Sequence, residues 1–342
     1  MRIGQLAEDS ICTHYRCLTP LREMERLGHE IVLTGQEPGD LAYERLRGCD
    51  VVHAYRLLEP RAAAVLQRLL DDGAAFVWDT DDDLEALPKE SPAYRISGGR
   101  AGMRQVFRQL VAMARRADVM TTTTEPLALK YRAAGVERVE LMPNSLPREA
   151  LDKRARRHNG VVIGWTAQAE HAADLPRIPI VDVLRRLLDA HPQVRVEALG
   201  LDLAIGSPRY LHRGLVPFER LQSAMARWDI AIAPLSDIPF NRARSDVKLK
   251  EYAAARLPWL ASPIGPYAGC GEEQGGRLVD DDGWYEALEQ LVMDGRARKR
   301  LSRAGYRWAR SQSIERSAKR WEALYEEAVA RRAARGPAVL RG

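Results

Sequence analysis

A chain of 342 residues, 46% hydrophobic and 29% charged, is long enough for two separate cores and has the composition of a soluble globular protein. No apolar run approaches the roughly 20 residues that a membrane-crossing helix needs, and the opening Met1-Arg2-Ile3-Gly4 reads as a strand rather than a signal peptide, so a cytoplasmic location is expected. A formal charge of +5 and a pI near 9.1 favour an anionic partner, leaving a nucleotide sugar, a nucleic acid and an acidic membrane surface open.

The first half alternates strands and helices. Residues 2–7 read as a strand, 8–13 as a polar loop, Tyr15 to Leu27 as a helix ending at Gly28, and 29–34 as a second strand. His14, Tyr15 and Arg16 follow the first strand and are candidates for a phosphate or acceptor contact, with a capping or helix-surface role equally open. Asp50 to Ala54 is the third strand, with His53 at its end, where a lone histidine is more often packed than catalytic. A helix over 60–72 and a strand over 75–78 lead into Asp79-Thr80-Asp81-Asp82-Asp83. That acidic run lacks the glycine of a calcium loop, so no metal is expected, and its carboxylates must be solvated, hydrogen-bonded or met by cations. Asp79 or Asp81 is expected to face a cleft while the others cap the loop. A basic helix over 100–116, a strand over 119–123, a helix over 125–134 and a strand over 139–141 end at the turn Pro143-Asn144-Ser145.

Residues 148–159, rich in charge and without apolar periodicity, read as a linker. Val161 to Trp165 opens a second series, followed by a loop over 166–175, a helix over 180–190, strands over 194–199 and 209–212, a helix over 217–227 and a strand over 229–234. Next come a helix from Ser245 to Arg256, the short strand Trp259-Leu260-Ala261 and the loop Ser262 to Tyr267. A short strand over 276–279, a helix over 283–294 and a long Arg/Glu-rich helix over 314–335 complete the chain, with a frayed tail over 331–341. Two such series in succession predict two α/β domains with parallel sheets. Cys12, Cys17, Cys49 and Cys270 form no C-x-x-C pair and have no His cluster beside them, so they are expected to be free thiols.

The informative stretch is Asn241 to Tyr267, where a basic loop feeds a helix, then Leu257-Pro258, a short apolar strand and the loop SPIGPY. Ser245 and Asp246 suit the helix start, and Lys248 and Glu251 share a face. Backbone N–H groups there, with Arg244 and Lys248, suit a diphosphate, and Glu251 suits a ribose diol. A solvated Lys/Glu pair on an amphipathic helix is the alternative.

The order of parts N-x-x-(K/R)-S-x-x-K-x-x-E-Y followed by LP and SPIGPY resembles the donor-binding segment of the retaining group 1 glycosyltransferases, over nearly the whole chain but most strongly over 228–267. The resemblance implies the GT-B fold: two Rossmann-like domains, over 1–150 and 158–312, whose parallel sheets face across a cleft, with the helix over 313–335 crossing back to the first. It implies transfer of a hexosyl or pentosyl group from a nucleotide-diphosphate sugar to an acceptor hydroxyl, with retention and without a bound metal or further cofactor. Glu251 matches the second of the family's two glutamates, but Ala243 stands where the first belongs. Trp165 and His171 stand where many relatives have Arg and Lys on the diphosphate, within a loop of the form G-W-T-x-x-x-x-H-x-x-D. The implied donor contacts are Gly164, Trp165, His171, Ser245, Glu251, Ile264 and Gly265, with Asp79, Arg244 and Lys248 in catalytic roles. The acceptor is left open among glycan, small molecule, lipid and DNA, with 100–116 and 153–157 as attracting surfaces. The competing readings are a sugar-nucleotide epimerase or phosphorylase of the same fold, and a non-catalytic module that binds nucleic acid or anionic lipid.

Overall fold

The computed structural model describes residues 1–7, 11–34, 39–152 and 158–335. The expected basic segment over 153–157 and the end of the expected tail lie outside the described residues. The chain divides into two compact units, one of residues 1–85, 101–145 and 314–342, the other of 86–100 and 146–313.

The first unit carries β1 (Arg2–Ala7), β2 (Glu30–Leu33), β3 (Val51–Tyr55), β4 (Ala75–Thr80), β5 (Val119–Thr122) and β6 (Val139–Leu141) in one sheet of order β2-β1-β3-β4-β5-β6. Every pairing is parallel, with Gly4 opposite Val52 and Val52 opposite Phe76. Because both faces are covered by helices, the central strands are apolar on both sides: Val52, Ala54, Phe76 and Trp78 pack on one, Val51, Val77 and Val119 on the other. The helix Ile314–Arg335 belongs to this unit. Its Trp321, Leu324 and Tyr325, buried on one stripe, pack with Tyr55 and Val77.

The second unit carries β7 (Val161–Ala167), β8 (Val194–Gly200), β9 (Tyr210–Arg213), β10 (Ile230–Ala233), β11 (Trp259–Ala261) and β12 (Gly276–Leu278), in the order β12-β11-β10-β7-β8-β9, again all parallel. The chain runs outward from β7 to β8 and β9, then returns to lay β10, β11 and β12 on the other side. The order therefore reverses between β7 and β10, and the loops leaving these two strands part at their C-terminal ends, where open α/β sheets bind ligands.

All twelve strands fall where the sequence places them, to within a residue or two. The helices differ more. The first is not preceded by a loop reaching residue 13: the run from Ile11 to Arg26 is helical, interrupted by a π-helical turn over His14–Leu18 in which the Thr19 N–H donates to the His14 carbonyl. A helix over Gly295–Ser311 was not foreseen. Its buried face is Leu301 with the small residues Ala297, Gly305 and Ala309, which together give little apolar signal among seven arginines and lysines.

Candidate functional site

The loops leaving β7 and β10 and the helix Val247–Ala254 meet in one buried polar network in the second unit. After β7, residues Ala169–Ala173 form a turn of 3-10 helix, whose three-residue repeat puts His171 and Asp174 side by side. Asp174 Oδ2 lies 2.8 Å from His171 Nδ1. Its other oxygen accepts from the Ser236 N–H at 2.9 Å, the Ser236 hydroxyl at 2.6 Å and the Asn241 amide at 2.8 Å, all from the loop after β10. Burial alone would raise the Asp174 pKa, but these donors and His171 outweigh it and hold the group below its ordinary value. The carboxylate thus fixes the tautomer with the proton on Nδ1, leaving a lone pair on Nε2.

Two cations use that lone pair. Lys248 Nζ donates to His171 Nε2 at 3.0 Å and Arg244 NH1 at 3.3 Å. Lys248 also donates to the Thr166 carbonyl, at the end of β7. Burial, and then the charges of Lys248 and Arg244, depress the His171 pKa to about 3, so the ring is neutral at pH 7. Burial, and then Arg244, depress Lys248 to about 7, against the opposing pull of Glu251, Asp174 and Glu170. The site is a pair of cations gathered on a neutral acceptor. An anion placed there would meet both.

The backbone around the pair is pinned by Tyr252, whose hydroxyl donates to the Ile232 carbonyl at 3.0 Å and accepts from the Thr166 N–H at 3.1 Å. That single hydroxyl ties β7, β10 and the helix together. Asp246 starts the helix, but its carboxylate pairs with Lys250 at 2.9 Å rather than capping, so the first N–H groups of the helix are not bonded by their own N-cap side chain. Ser245 is half-buried at this end, and Glu251 is buried one turn on from Lys248. Gly265 takes φ +52°, and a Cβ there would lie 2.6 Å from the Asn241 carbonyl, so glycine lets the loop carrying Ile264 fold against the Pro239–Arg242 turn.

Two expected donor contacts are relocated. Trp165 is 1% exposed and lies in the core of the unit, its ring 5.4 Å from that of His171, so it backs the histidine instead of facing a ligand. Gly164 is a packing residue: a Cβ on it would sit 1.9 Å from the Trp228 ring. Asp174, Ser236, Asn241, Thr166 and Tyr252 were not among the expected site residues. Asn241, Tyr252, Thr166 and Asp174 stand at fixed positions of the two quoted motifs without having been given a site role, and Ser236 had no sequence signal.

In the first unit, the expected catalytic Asp79 is wholly buried. Arg16 grips it with Nε to Oδ1 at 2.8 Å and NH2 to Oδ2 at 2.6 Å, and the Thr121 hydroxyl donates to Oδ2. Arg16 NH1 goes to the Met142 carbonyl at 2.6 Å and Asn144 Oδ1 at 2.9 Å, so this arginine, expected as a phosphate or acceptor contact, instead ties β4 to the Pro143-Asn144 turn. His53 is also fully buried, its Nδ1 2.9 Å from the Tyr325 hydroxyl, and burial, then the charge of Arg16, lower its pKa to about 3. His14 is half-buried and Tyr15 buried within the π-helical turn. The remaining acids are met by cations too: Arg56 NH2 reaches Asp81 at 2.5 Å and Asp82 at 2.7 Å, and Lys130 reaches Asp83 at 2.6 Å. Cys12, Asp81 and Asp82 form the one metal-like cluster among the described residues, and Arg56 already bridges its two carboxylates.

No family model and no curated protein matches the chain. Solved structures do. HepE of Anabaena in complex with UDP-glucose superposes with a TM-score of 0.68 over 95% of this chain and 99% of that one, at 13% identity. An alpha-glucosyltransferase in complex with UDP and a 13-mer DNA containing an HMU base gives 0.68 over 96% and 99%, at 11% identity. Sucrose-phosphate synthase of Thermosynechococcus elongatus gives 0.66 over 96% and 99%, at 13% identity. The chain has the GT-B fold. In these GT-B terms, the cation pair stands at the C-terminal edge of the second Rossmann-like sheet, where its strand order reverses.

Proposed function

We propose that the protein is a glycosyltransferase that takes a sugar from a nucleotide-diphosphate donor and passes it to an acceptor hydroxyl with retention of anomeric configuration. The observation that carries this reading is the convergence of Arg244 and Lys248 on the neutral His171 at the β7/β10 switch point. Uridine diphosphate is the favoured carrier, because HepE and the alpha-glucosyltransferase are described with UDP-glucose or UDP bound.

In this mechanism the donor diphosphate lies against Arg244, Lys248 and the N–H groups that open the Val247–Ala254 helix, while Glu251 accepts from the ribose hydroxyls. Charge develops on the departing diphosphate in the transition state, and the two cations stabilise it there, in a site that burial keeps short of water. They supply the positive charge that a metal supplies elsewhere, so the reaction proceeds without one. The acceptor attacks from the face that the diphosphate leaves, and no side chain forms a covalent intermediate.

The test is thermal stabilisation by UDP, GDP, ADP and dTDP, followed by transfer or hydrolysis of the matching nucleotide sugars. A nucleotide at 100 times its dissociation constant adds about 2.7 kcal/mol. UDP is expected to stabilise the wild type and to lose this effect in Lys248→Ala and Glu251→Ala, with the α anomer released from an α-linked donor. The absence of stabilisation by any nucleotide would sink the reading.

A further inference from the structure

The helix Gly295–Ser311 carries a second basic feature, remote in kind from the donor site. Arg296, Lys299, Arg300, Arg303, Arg307 and Arg310 are all exposed. At 100° per residue they fall within an arc of about 100°. Ala297, Leu301, Gly305 and Ala309 occupy the opposite arc and are buried. Between the long side chains runs a shallow groove of about 340 Å³ floored by Ala304. Among the described residues one carboxylate pairs with a side chain of the stripe, Glu272, 3.3 Å from Arg300, while Asp294 at the helix start accepts from the Arg296 N–H and feels the charges of Arg300 and Arg296. Six cations along roughly 21 Å of helix repel one another, a cost that nothing in the packing of the inner face requires.

We propose that this stripe is a docking surface for an anionic lipid bilayer. The inner face is seated on the rest of the unit, with Gly305 backed by Gly275 and by Ala253 of the Val247–Ala254 helix, so the helix can only lie tangent to what it meets. A plane of phosphate headgroups reaches all six side chains at once. A nucleic acid duplex does not, because its phosphates wind away from a straight row, and a helix embedded on one side cannot enter a groove. The stripe holds no exposed aromatic residue on which single-stranded bases would stack. It also holds no apolar side chain to insert, so binding is electrostatic and reversible by salt. Since Ala253 shares a helix with Lys248 and Glu251, a membrane-docked stripe would hold the donor helix at a fixed height above the lipid.

Sedimentation of the full chain with phosphatidylcholine vesicles, with and without about one-third phosphatidylglycerol, tests the proposal independently of any sugar donor. Binding is expected to the anionic vesicles alone and to disappear near 0.5 M salt, about the range in which the Debye length falls well below 10 Å. The triple variant Lys299→Glu, Arg303→Glu, Arg307→Glu should bind at least 100-fold more weakly, at about fivefold or more per charge, with its melting temperature kept. Should it not fold, the corresponding triple glutamine variant reads the same loss. Wild-type indifference to anionic vesicles overturns the proposal, as does undiminished binding by a folded variant. Tighter binding of the stripe to duplex DNA than to the vesicles would reassign it to nucleic acid.

Discussion

Lys248 Nζ stands 3.0 Å from His171 Nε2, and Arg244 NH1 stands 3.3 Å from the same nitrogen. Two cations can share one lone pair only if the ring is neutral, and the ring stays neutral because it is buried and because Asp174 holds its proton on the far side. The arrangement gathers positive charge while giving it a weak acceptor. A phosphate oxygen arriving at that point offers a full negative charge in place of a lone pair, so the site gains on binding an anion what it lacks when empty.

Donor affinity should therefore depend on the protonation of Lys248. Its pKa is lowered to about 7, by burial first and then by Arg244, while a bound diphosphate favours the charged form. As pH rises through 7 the free protein loses the proton that the complex needs. The dissociation constant for UDP-glucose, whose phosphates do not titrate in this range, should rise above pH 7 with a slope approaching about tenfold per unit. Calorimetry from pH 6 to 9 measures it. In Lys248→Arg, which stays charged, the curve should flatten, and a wild-type curve already flat would remove Lys248 from the site.

Acid should destabilise the fold through two buried histidines. His53 and His171 have folded pKa values lowered to about 3 from the usual 6.5, so as pH falls below 6.5 the unfolded chain takes up their protons first. The stability they contribute is complete above pH 6.5 and is lost progressively towards pH 3, at up to about 1.4 kcal/mol per unit for each ring. The melting temperature should drop steeply between pH 6 and 4. His53→Asn, which removes one of the two rings, should show a visibly shallower drop.

The sheets were legible in the sequence because their strands are short apolar runs buried on both faces, such as Val51-Val52 and Ile230 to Ala233, set off by turn residues. The Gly295–Ser311 helix was not, because Ala297, Gly305 and Ala309 fill its inner face with little hydrophobicity. At the site, Arg244, Lys248 and His171 were visible by residue type and spacing, and the structure brings these three together. How their supports meet was hidden for a physical reason. Ser236 and Asn241 meet Asp174 across more than 60 residues of chain, and only the parallel pairing of β7 with β10 makes them neighbours. Asp79 misled because a carboxylate at a strand end looks available until Arg16, 63 residues away, is placed on it.

Gly164 illustrates a motif glycine whose reason is packing. Because its missing Cβ would sit 1.9 Å from the Trp228 ring, Gly164→Ala must push the indole off β7 and disturb its edge contact with Tyr252, 6.3 Å away between ring centroids. Overpacking of this kind costs about 1–3 kcal/mol, and here the obstructed group is a buried ring with nowhere to move, so the upper end is expected. Since Tyr252 holds the Thr166 N–H, UDP binding should weaken together with stability. Thermal melts with and without UDP measure both. A variant as stable as wild type would show that Trp228 has room the structure does not display.

The Arg16 and Asp79 pair separates structure from chemistry. Both side chains are fully buried, and Arg16→Ala would leave the Asp79 carboxylate with the Thr121 hydroxyl as its side-chain donor and the His53 ring 3.9 Å away, with no charge to balance it. Leaving one member of a buried pair uncompensated costs about 3–5 kcal/mol, whereas replacing both partners with apolar groups of similar volume costs far less. Arg16→Met should therefore lower the melting temperature sharply, and Arg16→Met with Asp79→Leu should recover part of the loss. UDP affinity, which the proposed mechanism places in the second unit, should be unchanged in any of these variants that folds. Should the single variant keep wild-type stability but lose transfer activity, Asp79 and Arg16 would return to the reaction as participants, and the purely structural role assigned to them here would fall.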